Sequence, residues 1–150
     1  MVTLVNNKDI IIESDKLPII ELRCIYPTDN EVTRKDKKKF PIILRNACNI
    51  EVIHDSIKYK IDLPTSFRSD GASIPSEFYS VIGGNLSSDF LLAALVHDRL
   101  CNCHELVGDK RELSSTIFYE LIRACGVDKI KARAMYGCVN QFQRGCGWKN

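Results

Sequence analysis

The sequence has no long apolar run: none approaches the roughly 18 residues that would cross a bilayer, so any membrane contact is expected from the surface. Its start, MVTLVNNKDIIIESDK, lacks a basic leader, an apolar stretch of adequate length and a small-residue cleavage site, so no secretory signal peptide is expected. Excess charge of one sign is also missing. With 21 Lys and Arg against 19 Asp and Glu, the formal net charge is +2, which gives no chain-wide reason to expect specific nucleic-acid recognition. Only 8 Gly and 5 Pro occur in 150 residues, which excludes collagen-like and low-complexity classes. No repeat unit recurs, which excludes solenoids and propellers.

What is present suits one compact domain, since 150 residues with 45% hydrophobic content can bury about two-thirds of the unfolded surface without a disulfide or metal. Cysteine is the exception to this ordinary composition. There are seven: Cys24, Cys48, Cys101, Cys103, Cys125, Cys138 and Cys146. An odd number without a secretory signal points to a reducing compartment and mostly free thiols.

Residues 1–66 form the β-rich part. Short β-branched segments at 10–12, 18–26, 41–44, 49–54 and 57–63 are separated by polar turns such as PTDN and HDS, the pattern of an antiparallel sheet. In KYKID, Lys58 and Lys60 alternate with Tyr59 and Ile61, so one face of that strand is expected to be wet. The run TRKDKKKF reads as a solvated loop or hairpin tip, or else as a contact for an anionic ligand. A connector follows over 67–86, containing FRSDGASIP and a short helical stretch that Pro75 can open. The helical part, 87–148, holds three helices. The first is capped by Ser87 or Ser88, the second by Asp109 and ended by Gly126, and the third runs through VDKIKARAMYGCVNQFQRG. The expected architecture is α+β: an N-terminal antiparallel β-sheet packed with three C-terminal α-helices.

Chemistry-bearing residues crowd into ALVHDRLCNCHEL. On one continuous helix His97, Cys101 and His104 would share a stripe, spaced i, i+4 and i+7. Imidazole and thiolate are good zinc ligands, but C-x-C-H is not a zinc-knuckle spacing, and thiols as small core hydrophobes are the plainer account. His97 and Asp98 are neighbours, about 100° apart around a helix, so they serve different partners. The histidine suits a general base for water and the aspartate a cation ligand. Alternatively, Asp98 pairs with Arg99 or Arg111 and His97 is a satisfied core histidine.

In order along the chain, SFRSDGASIPSEF, LLAALVHDRL, KRELSSTIFYELIRACGV and ARAMYGCVNQF with GCGW resemble domain-of-unknown-function family 1353, found largely in tailed bacteriophages and prophages. The resemblance covers about residues 57–148. Asp70, Gly71, Ala72, Ser73, Ile74 and Pro75 match its first motif, His97 and Asp98 its second, Arg111 and Phe118 its third, and Met135 and Tyr136 its fourth. Where the family pattern has R-x-x-A-D, this chain has Ser114 and Ser115. The His-Asp helix facing a second helix is in turn similar to the helix pair of phospholipase A2, where histidine activates water, its neighbour holds calcium and a second aspartate orients the histidine. That likeness implies His97 as base, with Asp98 and Asp70 as cation ligands or orienters. It also implies that Ser115 leaves His97 without its carboxylate unless Asp70 substitutes.

Two functions follow as expectations. One is a small non-enzymatic phage protein of the virion, from tail or neck, or an accessory factor in the host cytoplasm. Its partners would be other phage structural proteins or a host protein, and a His-Asp-Arg network with Arg111 bound to Asp98 or Asp70 would fix its geometry. The other is a hydrolase dependent on a divalent cation, calcium or zinc, with His97, Asp98, Asp70 and Arg111 at its site.

Overall fold

The structure, a computed structural model, describes residues 1–22, 42–69, 88–143 and 148. The expected α+β class holds. Four strands, β1 (Val2–Asn6), β2 (Ile10–Ser14), β5 (Cys48–His54) and β6 (Ile57–Leu63), form an antiparallel sheet in the order β1-β2-β5-β6. A smaller antiparallel sheet has the order β3-β4-β7, from β3 (Ile20–Leu22), β4 (Ile42–Leu44) and β7 (Arg68–Ser69). Three helices follow: α1 (Ser88–Asn102), α2 (Arg111–Ala124) and α3 (Lys129–Gln143), with a short 3-10 turn, His104–Val107, between the first two.

Alternation sets the larger sheet. Ile10, Ile12, Ile50, Val52, Ile61 and Leu63 all point inward and are essentially inaccessible, because residues two apart share a strand face. In β6 Lys58 and Lys60 are exposed while Tyr59 and Ile61 are buried, as expected of KYKID. The β5–β6 hairpin turns on Asp55 (φ 51°) and Ser56 (φ 64°), with His54 paired to Ile57. Two positive φ values in a two-residue loop match the right-handed twist of the flanking strands. β1, which the turn and strand signals do not mark, pairs with β2 through a register shift between Thr3 and Val5.

The helical layer is built around α1. Leu91 through His97 are seven consecutive buried residues, so α1 is enclosed on every side, and it packs against strands of both sheets and against α2. Arg99 ties it to β6: Nε donates to the Asp62 carbonyl at 2.9 Å, and Nη2 reaches the two carboxylate oxygens at 3.1 and 2.9 Å. Arg99 is therefore engaged with Asp62, not with Asp98. On α2, Leu113, Ile117, Phe118, Leu121 and Ile122 turn inward at helical spacing. α2 also contacts β1, and just past that strand Asn7 Nδ2 donates to Glu120 at 3.1 Å; burial still raises that carboxyl above its ordinary range.

Two helix ends differ from expectation. Asp109 does not cap α2; the residue before the helix is Lys110, without a side-chain cap, and Asp109 sits at φ 60° beside Gly108 at φ 61°. The left-handed pair reverses the chain, and that geometry removes Asp109 from the cap position. Gly126 does end α2, at φ 101°, with the Val127 amide donating back to the Ile122 carbonyl at 3.2 Å, a glycine-terminated helix end.

Two measurements follow. Ser56→Gly removes the left-handed strain of an L-residue and should raise stability by about 0.5–1 kcal/mol in urea denaturation. Asp15 accepts the Asn49 amide at 2.9 Å, and this bond holds its carboxyl below the usual value of 3.8. Its contribution is complete above that value and is lost as pH falls through the lower folded value. The stability gap between wild type and Asp15→Ala, measured by denaturant midpoint, should therefore close on acidification.

Candidate functional site

The polar interior lies where α1, α2 and α3 meet. His97 has a side chain with 0% exposure. Its ring meets Phe118 edge-on, centroids 5.5 Å apart and planes at 63°. One turn on, Cys101 Sγ lies 4.0 Å from both Nδ1 and Nε2 of His97. Equal distances place the sulfur on the plane that bisects the ring through Cε1, directed along neither nitrogen lone pair. The thiol packs on the imidazole instead of handing it a proton. Asp98 Oδ1 is 3.9 Å from His97 Nδ1, beyond hydrogen-bond reach, in keeping with neighbours that project in different directions.

The centre of the cluster is Gln143, on the last turn of α3 and fully buried. Its Nε2 donates to Ser114 Oγ at 2.6 Å and points at Cys101 Sγ at 3.8 Å, while its Oε1 accepts from Ser115 Oγ at 2.5 Å. The single Ser115 proton is shared with Asn140 Oδ1 at 3.2 Å. Ser114 and Ser115 are themselves fully buried. One carboxamide thus joins three helices and satisfies two hydroxyls that would each cost energy if left alone.

The residues proposed from sequence fall into different places. His97 and Asp98 sit together on α1. Arg111 opens α2 and, among the described residues, makes no ion pair; its Nε is buried without a hydrogen-bond partner. The expected Arg111–Asp98 pair is therefore not formed. Asp70 and the rest of DGASIP, like TRKDKKKF, lie outside the described residues. The zinc stripe is interrupted, because α1 stops at Asn102 and Cys103 adopts φ −136°, ψ 77° before the 3-10 turn begins. His104 is consequently turned away from His97: its Nε2 bonds the Cys101 carbonyl oxygen at 2.8 Å, and its ring stacks on Trp148 at 4.0 Å and 15°. Among the described residues no group of three or more His, Cys, Asp or Glu is placed to hold a metal ion.

Gln143 and Asn140 are not singled out by the sequence, and Ser114 is marked only as the residue at the family's alanine position. A signal was available for the first: Ala132, Met135, Val139 and Gln143 are spaced i, i+3, i+7 and i+11, and all four are buried. A glutamine on such a stripe must find polar partners inside. Of the described cysteines, Cys48 is a core packing group. Cys48, Cys103, Cys125 and Cys138 are free thiols, and burial pushes the Cys48 thiol up, away from the reactive thiolate.

Residues 47–139 match the family described as "Protein of unknown function (DUF1353)", and the chain belongs to that family. Two curated proteins from Sinorhizobium fredii are similar to part of the chain. The uncharacterized protein y4jT is 40% identical over 83 residues, 55% of this chain and 24% of its own length. The uncharacterized protein y4iH is 32% identical over 75 residues, 50% of this chain and 30% of its own length. The chain thus spans 24% and 30% of the curated relatives it matches. No solved structure matches.

The hub makes a coupled prediction. Ser115→Ala leaves the Gln143 oxygen short of its donor, and Gln143→Leu takes the donor from Ser114 and leaves Ser115 only its longer bond to Asn140, each at a cost of about 1–3 kcal/mol. In a double-mutant cycle read by chemical denaturation the two losses should not add; the coupling should fall at roughly 0.5–3 kcal/mol.

Proposed function

We propose that this protein is a small non-enzymatic phage-encoded component, in the virion or acting on the host, whose buried polar cluster is structural. The observation that carries this reading is the enclosure of His97. A general base must reach the proton it abstracts directly or through one water, and this imidazole has no exposed surface, with Phe118 and Cys101 packed on it. The second helix offers serines, both committed to Gln143, where the likeness to phospholipase A2 asks for an orienting carboxylate. The phage assignment rests on the motif order DGASIP, HD, R-x-x-x-x-x-x-F and MY.

Two experiments test the reading. His97→Ala should destabilise the fold by about 1–3 kcal/mol in denaturant titration, as loss of a buried, packed core side chain would. A hydrolase with a pocket-facing His97 would tolerate the alanine and lose turnover instead. Mass spectrometry of purified particles from a producing host should then detect the chain if it is a virion part. Absence from particles, together with monomeric sedimentation of the purified protein, removes the virion assignment.

A further inference from the structure

Helices α2 and α3 form an antiparallel hairpin through Gly126, and on the side away from His97 they leave an open groove of about 460 Å³ between them. Among the described residues it is lined by Thr116, Tyr119, Arg133 and Tyr136. Helical spacing extends both walls. Thr116, Tyr119 and Arg123 are i, i+3 and i+7 on α2, while Lys129, Arg133 and Tyr136 are i, i+4 and i+7 on α3. The groove therefore has two parts: a phenol-lined middle, with Tyr119 and Tyr136 edge-to-face at 6.2 Å and 87°, and an end toward Gly126 where helical spacing brings Arg123 and Lys129 to the side of the lining Arg133.

Among the described residues that cationic end is only partly neutralised: Arg123 feels the Glu120 carboxylate, while Arg133 has no acidic partner. Asp128 pairs with Lys131 at 3.6 Å, Glu120 turns to Asn7, and Glu112 lies toward the opposite end, a turn before Thr116. Arg133 is exposed and makes no ion pair among the described residues. Arg123 gives one nitrogen to the Val127 carbonyl at 2.8 Å and keeps the rest of its fork. Beside the cations, Ile130 is 83% exposed.

We propose that this groove docks an acidic peptide segment of a partner protein, with an apolar or aromatic anchor seated against the Tyr119–Tyr136 pair and its carboxylates on Arg123, Lys129 and Arg133. The volume suits a side-chain anchor, and an aromatic centre with arginine at its margin is the composition that concentrates binding energy at protein interfaces. A single-stranded nucleic acid fits less well. The two rings cross instead of offering parallel platforms for successive bases, and the cations gather at one end instead of tracking a phosphate backbone. This inference deepens the reading of the chain as an interaction protein and rests on it.

The test is fluorescence anisotropy on the full chain with three labelled probes: a short peptide with a Leu-Phe anchor followed by glutamates, the same anchor followed by lysines, and oligothymidylate. Saturable binding is expected for the acidic peptide alone. Arg133→Glu should weaken it about tenfold or more without moving the thermal midpoint, and Tyr136→Ala should weaken it through the anchor. Equal binding of the lysine peptide, preferential binding of oligothymidylate, no saturable binding of the acidic peptide, or an unaffected Arg133→Glu would each overturn the proposal. Failure here is distinguishable from failure of the non-enzymatic reading, since the stability and turnover of His97→Ala do not depend on the groove.

Discussion

One carboxamide sets the terms for the helical half of this protein. Gln143 brings both a donor and an acceptor into a place where water does not reach, and it spends them on Ser114, Ser115 and Cys101. Each of those bonds is modest against the competing bonds to water in the unfolded chain, yet each is costly to leave unmade once buried. The result is directional. Apolar packing of α1, α2 and α3 would tolerate small rotations and slides, whereas the hub accepts one register of the three helices.

The same constraint decides what surrounds His97. With Ser115 at the position where the family pattern has aspartate, the interior holds hydroxyls and amides, groups that bury at far lower cost than a carboxylate. A serine hydroxyl offers one proton, which an amide oxygen accepts, so the cluster closes on itself without a charge. A carboxylate in that place would need donors, and Gln143 could supply one only by turning its amide, with Ser114 then donating to the Gln143 oxygen. Among the described residues the hydroxyl–amide cluster links the three helices, and the His97 imidazole beside it has no exposed surface.

Much of the fold could be read from sequence because it follows from periodicity. The alternation in KYKID is the burial pattern of β6, the apolar sweep of Leu91 to Val96 is the enclosed core of α1, and Gly126 ends α2 where a left-handed residue is needed. The errors came at places where geometry depends on a single backbone torsion. Asp109 looks like a helix cap, but the Gly108–Asp109 reversal needs it for the turn. His104 shares a stripe with His97 only if the helix continues, and the backbone at Cys103 ends it. The site was less legible than the fold for a related reason. His97 and Asp98 draw attention as chemically versatile residues, while Gln143 and Asn140 are ordinary in sequence and acquire meaning only when α3 lies across α2. Arg99 carries the same lesson, since its partner Asp62 lies 37 positions away and no local pattern connects them.

The boundaries of the family match sharpen this point. The matched span, 47–139, begins at the edge of β5 and stops before Asn140 and Gln143. It therefore contains the serines of the hub without the carboxamides that satisfy them. It also contains β5 and β6 without β2, which pairs along the other side of β5 from Ile10 to Ser14 and buries Ile10 and Ile12 in the common core. Cutting this chain at the matched limits would expose one edge of β5 and leave Ser114 and Ser115 buried without their acceptor and donor. The physical unit among the described residues is consequently larger than the matched one: the sheet needs the strands before residue 47, and the helices need the last turn of α3.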